Sequence, residues 1–143
     1  MDRPVIGGAL ESGESVKYFT FLPQFHPLIL AGSKRQTIRK SVKLEFGERF
    51  ALRFWTGKAY RSPMGILGTA ICVDVSGVRI ESDRFTWFGN QHPAIPDDFA
   101  QADGFASGLD MLNHFKAAHG LPFDGFAHRW EDFVPCPEKA ALS

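Results

Sequence analysis

Cysteine is scarce in this sequence. Cys72 sits in an apolar run, Cys136 sits between two prolines, and there are no others. A disulfide framework is therefore excluded as the source of stability, and both residues read as reduced thiols of a cytoplasmic protein. Net charge is absent as well. Lys plus Arg number 16 and Asp plus Glu number 16, so overall charge points to no partner. No stretch approaches the ~20 consecutive apolar residues of a membrane-spanning helix. Residues 1–15 carry acids and glycines with no continuous apolar run, which argues against a secretory leader. There is no repeat with a period of ~20–50 residues. GxxxxGK[ST], GxGxxG and GxSxG are all missing. No Cys or His cluster has metal-ligand spacing, so neither a metal nor a cofactor is expected.

What is present is apolar bulk. Hydrophobic residues make up 44% of the 143, and 14 Phe stand against 3 Trp and 2 Tyr. A chain of this length supports one domain with a core that needs no staple. The zero net charge hides an asymmetry. Lys34 to Arg61 holds nine basic residues against Glu45 and Glu48, whereas Glu81 to Asp132 holds nine acids against three basic residues. The basic segment is expected to bind RNA weakly and in a salt-sensitive way.

The local patterns divide the chain into an N-terminal tail over 1–15, a domain over 16–134 and a C-terminal tail over 135–143. Lys17 to Leu22 reads as a short strand. Pro23 to Ala31 reads as a short helix stopped by Gly32. Gln36 to Ser41 and Arg49 to Trp55 read as strands, with a turn at Phe46-Gly47-Glu48 between them. Gly65 to Ile80 is long and β-branched, and reads as two strands broken near Ser76-Gly77. Residues 84–99 read as a loop with short helical turns, one of them at Asp97 to Ala102. Ser107 to His119 is the clearest helix, with Ser107 as N-cap, an apolar stripe at Leu109, Met111, Leu112 and Phe115, and Gly120 as its stop. Gly125 to Phe133 is a final strand. Strands dominate without βαβ alternation, which predicts an α+β domain: a small barrel or curved sheet with helices attached.

Two segments carry chemistry. The first is Gly32-Ser33-Lys34-Arg35-Gln36-Thr37-Ile38-Arg39-Lys40. Thr37 and Arg39 share a strand face, and Arg35 joins them if the strand reaches back that far. The guanidinium fork suits phosphate, carboxylate or a base edge. The same charges also serve as a solvated edge that blocks aggregation. The second segment is Ala102-Asp103-Gly104-Phe105-Ala106-Ser107, just before the clearest helix. On these residues alone simple capping and loop-ending explain the acid, and a site is the alternative. His114 and His119 are five apart and do not stack on one helical face, so a zinc pair is not expected.

These residues resemble the ASCH domain of the PUA-like superfamily. The first block, Phe25 to Arg39, is similar to that family's helix followed by Gly-x-Lys-x-x-Thr-x-Arg. The Gly47 turn with its strand, and the Asp103-Gly104-Phe105-x-Ser107 step with the Trp130 strand, follow in the family's order. The resemblance spans roughly residues 18–133. It implies a PUA-like small mixed β-barrel with flanking helices and a basic cleft for RNA or a modified nucleotide. One branch of the family hydrolyses the acetyl amide of N4-acetylcytidine with a Lys, a Thr and a Glu. By position these are Lys34, Thr37 and Asp103, with Asp in place of Glu. Arg35, Arg39 and Lys40 would bind phosphate, and Trp55 or Phe105 would stack on a base. A non-catalytic RNA-binding module and a ribonuclease use the same cleft differently. Convergence of Lys34, Thr37 and Asp103 within hydrogen-bond reach separates an enzyme from a binder, and Lys34, Thr37, Arg39 and Asp103 are expected to line one concave pocket.

Overall fold

The computed structural model describes residues 16–56 and 64–136. The tail over 1–15 lies outside them, as does the C-terminal tail from 137 onward, whereas Pro135 still belongs to the last strand. The strands are β1 (Tyr18–Thr20), β2 (Gln36–Arg39), β3 (Arg49–Trp55), β4 (Met64–Ile80), β5 (Phe85–Trp87), β6 (Asn90–His92) and β7 (Phe123–Pro135). The helices are α1 (His26–Ala31), entered through a 3-10 turn at Pro23–Phe25, then α2 (Asp97–Ala102) and α3 (Gly108–Ala118).

The strands form one mixed sheet, curled into a half-barrel with few helices against it. Its spine is β4. One edge of β4 pairs with β3 from Met64 to Ile71 and with β5 from Val78 to Ile80, while the other edge carries β7. β7 then holds β2 antiparallel, and β3 holds β1 parallel. β1 and β2 thus end the two arms of the curl. A side chain bridges them, since Arg39 Nη2 donates to the Thr20 carbonyl at 3.2 Å.

The single long β4 corrects the reading of two strands broken at Ser76-Gly77. Ser76 pairs with Ala127 and Gly77 with Phe126, so the β7 ladder runs straight through the expected break. Paired backbone outweighs local turn preference, because an unpaired buried N–H or C=O costs more than the propensity gains. The register shifts instead occur earlier, between Thr69 and Ile71 and between Cys72 and Asp74, where bulges bend the strand. Residues 84–99 also depart from the expected loop. They hold the β5–β6 hairpin, with the Phe85 ring fully buried and 4.9 Å from that of Phe99. Asp97–Ala102 is helical as expected.

Two apolar clusters fill the concave side. One gathers Phe19, Phe21, Phe50, Leu52 and Trp130 under α1. The other gathers Ile80, Phe85, Phe99, Met111 and Phe115 under α2 and α3. Phe105 packs against both and so marks their seam. In α3 the buried face is Met111 and Phe115, four residues apart, while Leu109 is 65% exposed. Leu109 is therefore no core residue, because it lies well off the face that those two define. Cys72 is a buried, unpaired core residue. His128 is fully buried yet satisfied: Nδ1 donates to the Phe126 carbonyl and Nε2 accepts from the Lys43 N–H at 3.1 Å each.

Ser107 caps α3 by accepting from the Asp110 N–H, as the sequence predicts. The first residue of α3, Gly108, donates to Asp97 Oδ1 at 2.8 Å and lies against the Ile95 backbone, so that an added Cβ would overlap the Ile95 carbonyl. Helix propensity alone favours alanine over glycine by up to about 1 kcal/mol. The overlap should reverse that sign. Gly108→Ala is expected to lose about 1–3 kcal/mol in urea unfolding, and equal or greater stability would contradict this close approach.

Candidate active site

The site is assembled by a reversal of the chain after α1. Gly32 takes the left-handed conformation, with φ 84, and the Ser33 and Lys34 amides return to the Leu28 carbonyl. This sharp C-cap turns Lys34 inward, leaving it 2% exposed. The next residue ties the two chemistry-bearing segments together, since Arg35 N–H donates to Ala102 O at 2.7 Å. The Arg35 carbonyl then accepts from Trp130 N–H at 3.0 Å, which places the segment against β7. Asp103 follows the last turn of α2, with its N–H bonded to Phe99 O and Ala100 O. Gly104, at φ 100, allows the chain to pass close by: an added Cβ would stand 2.8 Å from Phe25 Cδ1 and 3.0 Å from Lys34 Cδ.

The result is a cavity of about 240 Å³. Lys34, Thr37 and Arg39 line it from the β2 segment, Asp103 and Phe105 from the α2–α3 loop. The expected set is thereby brought together, and Phe105 with it. Arg35 is exposed and contributes backbone bonds only. Lys40 lines a separate shallow cavity beside Gly77, Asp124 and Phe126. Trp55 is half-buried at the end of β3 and lines neither cavity. Alternation along β2 explains the split, because Arg39 and Lys40 point to opposite faces.

Several lining residues were not singled out by sequence. Thr20, Phe21 and Phe25 form one wall; His114, Phe115 and His119 of α3 form another. The His114 ring lies 5.0 Å from that of Phe105. Phe115 and His119 are four apart with His114 adjacent, a spacing that puts all three on one broad helical face. That spacing is the one signal of this wall in the sequence. Among the described residues no group of three His, Cys, Asp or Glu is placed to hold a metal ion.

The charges in the cavity are buried and interdependent. Lys34 Nζ donates to the Gln36 carbonyl at 2.8 Å and to the backbone carbonyl of Asp103, and lies 4.0 Å from Asp103 Oδ2. It also faces the Phe25 ring at 4.6 Å. Burial lowers the Lys34 pKa to about 8, opposed by the Asp103 charge and aided by Arg39. Burial raises the Asp103 pKa to about 6, opposed by Lys34, the Gln36 amide and Arg39. The Gln36 amide is thus near the carboxyl, yet neither Gln36 Nε2 nor Asp103 Oδ1 completes a hydrogen bond. Arg39 Nε donates to Thr37 Oγ1 at 3.1 Å, and its guanidinium stacks 4.4 Å from the Phe19 ring. Burial lowers the His114 pKa, with His119 and Lys34 adding to the effect, so its imidazole is neutral at pH 7.

No family model matches the sequence, and no curated protein matches it. Solved structures do. The crystal structure of ASCH from Zymomonas mobilis aligns with 82% of this chain and 68% of that chain, at 12% identity and a TM-score of 0.52. A point mutant of the same protein aligns over the same shares at 12% identity and a TM-score of 0.47. The likeness is one of fold: the chain shares the curled-sheet α+β architecture of that ASCH structure. Among the described residues no helix is long and apolar enough to cross a membrane.

The coupling between the two buried charges has a testable sign. Asp103 raises the Lys34 pKa, so Asp103→Asn should lower it further below about 8. The measurement is an NMR titration of the Lys34 Cε and Nζ signals. A pKa that stays or climbs in the variant would rule out the electrostatic link.

Proposed function

We propose that the cavity binds the base of a modified cytidine and hydrolyses its N-acyl amide, with Lys34, Thr37 and Asp103 as the reacting groups. The observation that carries this reading is the setting of the Lys34 amine. A neutral amine has two hydrogens and one lone pair, and two backbone carbonyls accept from Lys34 Nζ. The neutral form is therefore fully satisfied, with its lone pair free to take a proton. Asp103 Oδ1, buried and unpartnered, is the matching group for a ligand donor or acceptor. Asp is shorter than Glu, but the Asp103 backbone itself bonds Lys34 Nζ and so holds its carboxyl nearby.

The chemistry follows from these positions. Thr37 Oγ1 attacks the acyl carbon as Lys34 takes the hydroxyl proton. Arg39, already donating to Oγ1, stabilises the developing negative charge. Asp103, protonated, gives its proton to the departing exocyclic amine, and the C–N bond breaks. The free amine leaves, and water attacks the Thr37 ester as Asp103 takes one of its protons. The ester C–O bond breaks, Lys34 returns its proton to Thr37 Oγ1, and the carboxylic acid leaves. Phe105 and the neutral His114 flank the ring. A volume of about 240 Å³ falls below the ~300–1,000 Å³ of sites for drug-sized ligands and suits one base better than a length of chain. That weighs against a ribonuclease groove.

The reactive state, neutral Lys34 with protonated Asp103, carries one proton in total. So does the ion pair. Its population rises as pH climbs through the lower of the pair's two pKa values, about 6, and falls through the upper, about 8. The expected kcat/KM for N4-acetylcytidine is therefore bell-shaped, with limbs near those values. A rate still rising at pH 9 would refute the paired role.

Lys34→Ala is expected to reduce turnover about 10²–10⁴-fold with the fold retained by circular dichroism. Lys34→Arg should not rescue it, because arginine does not release its proton near neutral pH. Full activity in Lys34→Arg would remove the general base. Absence of turnover by the native protein across a panel of N-acylated nucleosides would leave a binding module in its place.

A further inference from the structure

The open end of the half-barrel, where β1 faces β2, gathers positive charge beyond the Arg39 that the cavity chemistry uses. Arg39 lies over one side of this gap, stacked on Phe19. Lys43 Nζ stands 5.3 Å from the same Phe19 ring and 4.9 Å from that of Tyr18. Arg53 stacks on Tyr18 at 4.1 Å. Arg53 is also the β3 partner of Thr20, the cavity-lining residue whose carbonyl accepts from Arg39. Three cations and one tyrosine are thus linked ring by ring from the cavity wall outward.

Arg39 feels the Asp103 charge of the cavity, at a distance. Among the described residues, no carboxylate lies within ion-pair distance of Arg39, Lys43 or Arg53. Glu48, a nearby acid, is engaged by Lys17 at 3.3 Å. Arg53 Nε is buried without a hydrogen-bond partner, a costly state for a charged group. Like charges placed together without a counter-charge repel one another. The Lys43 pKa is lowered by burial first, then by Arg39 and Lys17. Such a cluster is stabilised when an anion with several acceptor oxygens joins it.

We propose that Lys43, Arg53 and Tyr18 form a phosphate-binding step beside the cavity, so that the ligand is a phosphorylated nucleotide rather than a free nucleoside. The proposal rests on the cavity accepting a cytosine base, but not on its hydrolysing anything. The base enters between Phe105 and the Lys34 segment, and the phosphate ester lies over the β1 edge. There Arg53 offers planar donors and Lys43 a mobile charge. Tyr18 holds both side chains by its ring face.

Direct binding tests this without turnover. The native protein is titrated by NMR with cytidine, cytidine 5′-monophosphate, inorganic phosphate and a cytidine trinucleotide. The monophosphate should bind about tenfold more tightly than cytidine, the scale of one hydrogen bond to a charged group. Added salt should weaken the monophosphate selectively, and inorganic phosphate should compete with it at the Lys43 and Arg53 signals. Lys43→Gln, at an exposed position, should collapse the ratio of the two affinities, and Arg53→Gln should do likewise. A trinucleotide that binds more tightly than the monophosphate assigns the phosphate to a polymer; equal binding assigns it to a mononucleotide, and either supports the step. Equal affinity of the native protein for cytidine and its monophosphate would overturn it, as would a full ratio surviving in Lys43→Gln. A phosphate preference without amide turnover would refute the hydrolytic reading alone.

Discussion

A lysine amine buried at 2% exposure has lost its water, and something must replace that solvation. Here the replacement is backbone. Two carbonyls, one from Gln36 on the strand and one from Asp103 after α2, accept from Lys34 Nζ. The Arg35 N–H to Ala102 O bond runs beside them. These contacts join parts of the chain almost seventy residues apart, and they draw α2 and its loop over the end of β2. Gly104 lets the loop come close enough, with Phe25 and the Lys34 stem in contact where a side chain would otherwise stand. The cavity exists because of this junction, and Phe105, which follows Gly104, is thereby set at the seam of the two core clusters.

The same burial that fixes the junction shifts the proton affinities of its two charges. In water a lysine amine and an aspartate carboxyl differ by many orders of magnitude in proton affinity. Desolvation brings the two together from both sides, down for Lys34 and up for Asp103. Their mutual attraction limits the effect without cancelling it, because desolvation is the larger cause for each. A proton can then move between them at modest cost. Thr37, held by Arg39 Nε, lies in the same enclosure. The buried charges that secure the junction are thus the same groups that are proposed to react.

Arg39 has a second task. The curled sheet does not close by strand pairing between β1 and β2, so its ends would expose backbone and apolar rings. Arg39 spans the gap with a bond to the Thr20 carbonyl and stacks across Phe19 and Phe21. The opening therefore remains polar and positively charged. Small closed barrels fill their interior with side chains; this half-barrel leaves its mouth to charged groups, and the candidate site is at that mouth.

Much of this was decided locally. The Ser107 cap, the glycine stop after α1, the strand over Arg49 to Trp55 and the order of the Lys34, Thr37, Arg39 and Asp103 segments are legible in the sequence. The strand over Ser76-Gly77 was not, because its pairing partners Ala127 and Phe126 lie some fifty residues away. Nor was the burial of Phe85 in a hairpin, which Phe99 secures across the fold. Sequence offered Arg35 and Lys40 as phosphate binders and Trp55 as a stacking ring, but only the sheet decided that Arg35 faces solvent, that Lys40 lines another hollow and that Trp55 lines neither. His114, Lys43 and Arg53 carry no motif at all. They matter through what surrounds them, and the proximity of charges and rings from separate strands is a property of tertiary packing that no local spacing encodes.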